Sequence, residues 1–282
     1  MDIDVLGALD VRENGVSVTP TAPKPRQLLA LLALQADQVV HVPVLIEELW
    51  AGTPPRSARM NLQTYVLQVR DHIAVALSKD PADRPARTPK DVLVTAPGGY
   101  MLVSGAEGVS DVREFDRLAG MGYRAMDAGD YPGAAETLRQ ALALWTGTPF
   151  SGVQTGGQLG MEVRRLEESR LRALDQRIDA DLRLGRHREL LAELTVLVSR
   201  YRTHENLQAQ FMIALHRSGR RGEAVGHYRR LRNTLVQELG IEPSARLGRL
   251  QKALLATPAG DGRSPQDGSV LPLRCAGAVP IS

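Results

Sequence analysis

Arg59, Asn61, Gln63, Thr64, Gln68, Arg70 and Asp71 stand within one short stretch, TPPRSARMNLQTYVLQVRDHIAVAL, which begins at residue 53. All lie off a stripe of Leu62, Val66, Val69, Ile73 and Leu77, whose steps of four, three, four and four trace one face of a helix. Most of the side chains off that stripe are amides or guanidiniums. Asn and Gln bond the adenine edge in pairs, and Arg bonds the guanine edge or phosphate. The chemistry on offer is recognition of nucleic acid. An ordinary surface helix has the same amphipathic pattern, so the neighbouring elements decide between the two readings.

The helix is predicted over 53–77, with Thr53 or Ser57 as its cap. Before it, Trp50-Ala51-Gly52-Thr53-Pro54-Pro55 ends a shorter apolar helix that Pro43 opens. Two helices joined by a short Gly-containing turn form a helix-turn-helix. Upstream, residues 26–35 read as a core helix. Lys24 and Arg26 at its start are within reach of phosphate, or are simply exposed charge. Residues 2–19 alternate in the strand period (Ile3, Val5; Leu9, Val11; Val16, Val18) with a hairpin turn at Asn14-Gly15. Val39–Val42 reads as an extended link. Downstream, the Pro-rich residues 78–91 form a loop, and 92–95 and 100–103 form a hairpin about Pro97-Gly98-Gly99. The order is sheet, three helices, hairpin. That is a winged helix, which puts its third helix in the major groove and its wing on the adjacent backbone or minor groove.

Residues 104–110 read as a linker, and from 111 the pattern is helical throughout. Phe115, Leu118, Ala119, Gly122 and Met126 share a face. Gly129, Gly185 and Gly219 each precede an Ala/Leu-rich helix, and the last two are 34 residues apart, the tetratricopeptide period. A loop is expected over 146–160, a long helix over 161–184, and a last helix from Pro243 to near Ala256. Residues 258–282 lack periodicity and are expected to be disordered. The predicted fold is an α+β winged helix-turn-helix domain (1–105) followed by an all-α tetratricopeptide-like repeat domain (111–257).

Composition narrows the function. Residues 1–110 hold ten Lys and Arg against twelve Asp and Glu, yet 56–90 hold seven against three. Phosphate binding needs a basic face rather than a basic domain. No run of 18 apolar residues is present, MDIDVLGALDV does not read as a secretory leader, and the one thiol, Cys275, suits a reducing cytoplasm. No GxxxxGK[ST] occurs, and Thr155-Gly156-Gly157 has neither the strand nor the Lys of a phosphate loop. The six histidines lack ligand spacing and read as surface or capping residues. Ser151 and Ser169 lack a nucleophile elbow, and Glu167-Glu168 and Asp179/Asp181 read as solvated helix faces. No catalytic group, metal or cofactor is expected.

The segments PKPRQLLALLAL, LIEELWAGTPPRSARMNLQTYVLQVR, APGGYML, ALALWTGTPF and QFMIALHRSGRRGEAVGHYRRLRNTLVQELGIEPSARLGRLQKALL carry a resemblance over nearly all of residues 1–257. The chain resembles the Streptomyces antibiotic regulatory proteins of the small, two-domain type. The resemblance implies an OmpR-type winged helix joined to a bacterial transcriptional activation domain. It also implies activation of an antibiotic biosynthetic cluster by binding direct repeats near a promoter, as a homodimer at least on DNA, and recruiting RNA polymerase. By position it places base reading on Asn61, Thr64 and Gln68, backbone contact on Arg59, Tyr65 and Arg70, and Arg87, Lys90 and Tyr100 around the wing. Gln68 departs from the Arg that relatives often carry there. The rival reading is a helical-repeat adaptor whose first domain binds protein, and the net acidity of residues 1–110 favours it. Arg220, Arg221, Arg229, Arg230 and Arg232 gather on the last repeat, either to meet an acidic partner or DNA, or as a solvated face.

Overall fold

The computed structural model describes residues 1–79, 87–105 and 108–256; the middle of the 78–91 loop, the tail 258–282 and Cys275 lie outside the described residues. The chain opens with β1 (Asp2–Asp4), β2 (Asp10–Glu13) and β3 (Val16–Ser17), an antiparallel sheet in that order. Ile3 lies opposite Val11. Asn14 and Gly15 both take positive φ, 51° and 74°, as a twist-matched two-residue hairpin requires.

The winged-helix elements follow: α1 (Pro23–Leu34), β4 (Val40–His41), α2 (Val42–Trp50), α3 (Ala58–Leu77), α4 (Pro89–Val92), β5 (Leu93–Ala96) and β6 (Gly99–Leu102). Two short elements escape the sequence reading. The link at Val39–Val42 contains a strand, β4, which pairs antiparallel with β6 and makes the wing a three-stranded sheet, β4-β6-β5. Gly99 permits that pairing, since a Cβ there would meet the Val40 carbonyl at 2.2 Å. The single turn α4 sits inside the expected loop, started by Pro89 and held by a Thr88–Asp91 capping box.

The remaining helices are α5 (Asp111–Asp127), α6 (Tyr131–Ala143), α7 (Gly157–Arg183), α8 (Leu190–Arg200), α9 (Glu205–Arg217), α10 (Arg221–Leu239) and α11 (Ala245–Ala256). Gly129, Gly185 and Gly219 all lie in the left-handed region, at φ near 80°, in the turns α5–α6, α7–α8 and α9–α10. The three glycine-marked copies are therefore three helix hairpins, the tetratricopeptide-like arrangement the spacing predicts. Small residues let each pair close: Gly122 faces Leu138 so tightly that a Cβ would come within 2.5 Å of its Cγ.

The linker expected at 104–110 is a seam. Ile3 donates its amide to the Val109 carbonyl at 2.8 Å and forms a parallel bridge with Ser110. Asp111, the first residue of α5, accepts the Val5 and Leu6 amides at 2.6 and 2.7 Å. Residues 146–151 pair with residues 5–8 through Thr146–Leu6, Phe150–Val5 and Ser151–Gly7 backbone bonds. Phe115, Trp145, Phe150 and Leu159 join Leu6, Leu29, Leu45 and Leu102 in one continuous apolar core. α7 also begins four residues earlier than the sequence suggests. Its N-terminus is capped from the other half of the molecule: the Gly156, Gln158 and Leu159 amides donate to the Glu48 carboxylate at 2.6, 2.8 and 3.2 Å.

Two readings of polar residues are corrected. Asp179 and Asp181 are not solvated. Asp181 is buried under Arg177, Arg186 and Arg139 at 3.2, 2.9 and 3.6 Å, which ties α6 to α7 and to the turn after it, and Asp179 pairs with Arg183 at 3.0 Å. His204 does cap α9, but His227 is a core residue, bonded to Gln208 at 2.5 Å and set edge-on to Phe211. Burial, with the Arg230 charge nearby, pushes the His227 imidazole down to about 4. A depressed histidine is neutral when folded, while the unfolded chain takes up a proton below its ordinary value near 6.5. Its contribution is therefore full above that value and is lost as pH falls toward 4. Denaturant titrations at pH 7 and pH 5 are expected to differ by about 1–2 kcal/mol from this residue, and His227→Gln should shrink the difference.

Candidate nucleic-acid interface

α2 stops because Ala51 and Gly52 turn left-handed, φ 47° and 83°, and two prolines follow. α3 starts only at Ala58, later than the sequence suggests, with Ser57 in the cap position. Its buried stripe is Leu62, Val66, Val69, Ile73 and Ala76; Leu77 is only half-buried. The stripe packs on α1, α2 and the first sheet, so the opposite face points away from the protein.

Among the residues expected to read or hold DNA, Arg59, Thr64, Gln68 and Lys90 are exposed. Gln68 makes no hydrogen bond to any described residue, so its amide is free. The Thr64 hydroxyl donates to the Met60 carbonyl at 3.1 Å, which keeps its oxygen available as an acceptor. Asn61 lies on the flank and donates to Ser57 Oγ at 3.3 Å. Tyr65 is half-buried and stacks on Trp50 at 6.2 Å, bracing α3 on the end of α2. Tyr100, on β6, is nearly buried and lines a cleft of about 320 Å³ with Arg59, Gln63, Pro43 and Gly98, where the wing meets the start of α3.

Arg70 and Arg87 have internal partners that the sequence did not suggest. Arg70 donates through Nε and a terminal nitrogen to the Leu93 carbonyl at 3.1 and 2.7 Å, and to Thr95 Oγ1 at 2.8 Å. It clamps the wing strand β5 to α3. Arg87 pairs with the buried Glu13 at 2.9 Å and fixes the approach to α4. Lys24 and Arg26 are likewise engaged inside the fold, on the Leu49 carbonyl and on the Pro20 and Gly152 carbonyls. These four cations position elements; among the described residues Arg56, Arg59, Lys79 and Lys90 are exposed near α3 and make no ion pair.

The outward face also holds residues that the resemblance did not mark. Met60 and Leu67 are 69% and 56% exposed, with Gln63 between them. Their spacing from Thr64 and Asp71, opposite the Leu62–Val66 stripe, is a signal a helical projection would have found. An apolar side chain there suits a thymine methyl, and a second amide suits another base edge. The arginine cluster of the last repeat is smaller than its sequence suggests. Arg220 and Arg232 pair with Glu223 and Glu242 at 2.6 Å, and Arg221 donates to the Leu255 carbonyl. Arg229 and Arg230 remain exposed and make no ion pair with any described residue.

A three-helix core with a wing, joined to helix hairpins, defines a winged-helix regulator with a helical-repeat half. Residues 110–255 match the family described as the bacterial transcriptional activator domain. The chain is 53% identical over 267 residues to the regulatory protein DnrI of Streptomyces peucetius, spanning 94% of this chain and 96% of that one. It is 36% identical to the regulatory protein AfsR of Streptomyces coelicolor over 90% of its own length, but spans only 24% of that longer protein. Among solved structures, Mycobacterium tuberculosis EmbR in complex with a low-affinity phosphopeptide superposes with a TM-score of 0.80 at 30% identity, over 90% of this chain and 64% of that one. The chain belongs to the Streptomyces antibiotic regulatory protein family of transcriptional activators. No described helix is long and apolar enough to cross a membrane.

Proposed function

We propose that the chain binds double-stranded promoter DNA through the outward face of α3, at direct repeats and as a homodimer on DNA, and recruits RNA polymerase to an antibiotic biosynthetic cluster. The observation that carries this reading is the free Gln68 amide beside Thr64 and Gln63 on a helix whose other side is fully packed, with Arg56 and Arg59 at its start. Gln63, Thr64 and Gln68 read bases; Met60 and Leu67 lie against thymine methyls. Arg59 and Lys90 hold phosphates, while Tyr65, Arg70, Arg87 and Tyr100 keep α3 and the wing in register. Asn61 stands at the edge of the readable face, turning out from Ser57 to reach a base. Residues 1–105 supply the DNA contact and 111–257 the activating surface, although the two share one core. The protein acts by binding in the cytoplasm and not by catalysis.

The adaptor reading keeps one specific observation: four of the cations near the N-terminal fold are engaged internally, which leaves that half short of free positive charge. A salt titration of full-chain binding to its cluster's promoter separates the two. DNA recognition predicts that log Kobs falls linearly with log salt, by roughly 0.9 per phosphate neutralised. An adaptor gives no promoter binding at any salt.

A further inference from the structure

Between α9 and α11 runs an open cleft of about 490 Å³. Its floor is apolar: Ala209 and Ile213 from α9, Leu247 and Leu250 from α11. Its rim carries Arg246 and Arg249, both exposed. The other polar rim groups have partners. Glu205 accepts the Ser244 amide at 2.9 Å, and Asn206 donates to Asp175 on α7 at 2.5 Å. Arg249 makes no ion pair with any described residue. The Arg246 charge also acts on Asp175, whose carboxyl is pushed above its usual range by burial while Asn206, His204 and Arg246 draw it back. The cleft thus presents an apolar floor under a rim on which two exposed arginines outnumber the one glutamate, Glu205.

Its place in the fold says what kind of partner fits. α5, α7 and α9 are the first helices of the three hairpins, and α11 stands next in that row. Stacked helical repeats use such extended surfaces to hold protein partners. The α9 residues of the cleft run from Glu205 to Ile213, about 12 Å of helix rise, or two turns. A groove open along two turns matches a helix laying down side chains at one-turn intervals. We propose that this cleft takes an amphipathic, acidic helix of a partner protein, with leucine-like side chains on the Ala209–Ile213–Leu247–Leu250 floor and carboxylates over Arg246 and Arg249. This rests on the reading of the helical domain as the activating surface, and names the site and the chemistry it selects.

The test uses the full chain and two fluorescein-labelled sixteen-residue helical peptides. One has leucines at one-turn spacing and glutamates elsewhere; its sister has lysines in place of the glutamates. Anisotropy should show saturable binding of the glutamate peptide in the micromolar range and none of the lysine peptide. The double substitution Arg246→Glu with Arg249→Glu should weaken the glutamate peptide about tenfold or more and admit the lysine peptide. Promoter binding by that variant should be unchanged while transcription in a purified system falls. Glutamate-peptide binding that ignores the reversal overturns the proposal, as does failure of both peptides. Saturable uptake of 8-anilinonaphthalene-1-sulfonate with no peptide binding also overturns it, and assigns the cleft to small anions. Peptide binding that follows the charge, in a wild-type chain that activates no transcription, leaves the cleft standing and overturns the activator mechanism instead.

Discussion

Glu48→Ala is expected to lower the stability of the full chain by about 3 kcal/mol or more. Glu48 is 2% exposed and accepts three backbone amides at the start of α7, a helix of 27 residues. Alanine leaves one buried and two partly buried donors without an acceptor, and a fully buried one costs about 1–3 kcal/mol. It also removes a negative charge from the positive end of the α7 dipole. Gln27 loses a partner as well, since its amide nitrogen bonds both the Glu48 carbonyl and the carboxylate, at 2.8 and 3.2 Å. Glu48→Gln keeps an acceptor and should lose less. Because Glu48 sits near the end of the helix that leads into α3, the loss should reach promoter binding too. For the same reason a fragment ending at residue 105 or 110 is expected to show no cooperative thermal transition. It would open the apolar core that Leu6, Leu29 and Leu45 share with Phe115 and Phe150, and would strip Val5 and Leu6 of the Asp111 carboxylate. Calorimetry of the two variants and the fragment checks this; a fragment melting as sharply as the full chain would show that the seam adds little.

Arg70→Ala should reduce promoter affinity on every sequence by about 1.5–3 kcal/mol, the worth of charged hydrogen bonds removed from the wing anchor. The Leu93 carbonyl and the Thr95 hydroxyl then lose the side chain that fixes β5 against α3. The salt slope separates this role from phosphate contact. Loss of a phosphate contact lowers the slope by about one. A clamp that never touches phosphate leaves the slope unchanged while the whole line drops. Binding isotherms for wild type and variant at four salt concentrations distinguish the outcomes, and a slope reduced by one returns Arg70 to the DNA backbone.

The contrast between Gln68 and Arg70 shows what the sequence could and could not tell. The α3 stripe, the Asn14-Gly15 hairpin, the Pro97-Gly98 turn and the three hairpin glycines are signals written within a few neighbouring residues, and each stands where the sequence suggests, save that Ala76 replaces Leu77 at the end of the stripe. Whether a polar side chain is free depends on residues far along the chain. Arg70 reads as a phosphate contact until β5 arrives beside it. Glu48 carries no local signal of its role, because the amides it caps lie 108 residues or more along the chain. Two-residue β4 carries almost no pattern of its own and exists because β6 pairs with it. Asp181 looks like surface charge until arginines from α6, α7 and the turn after α7 converge on it. The fold was legible because its periodicities are local. The division of the cations into those that bind and those that brace was not, because it is set by tertiary contact.

Selection of binding sites from a randomised DNA pool, run side by side with the wild-type chain and Gln68→Arg, tests most directly that α3 reads promoter sequence. Glutamine pairs with the adenine edge and arginine with the guanine edge. The wild type should enrich a repeated site with adenine at one position of each repeat, and the variant should change that position to guanine and leave the others alone. Identical sites selected by both proteins, or no enrichment by either, would contradict the assignment of Gln68 to the DNA-reading face of α3.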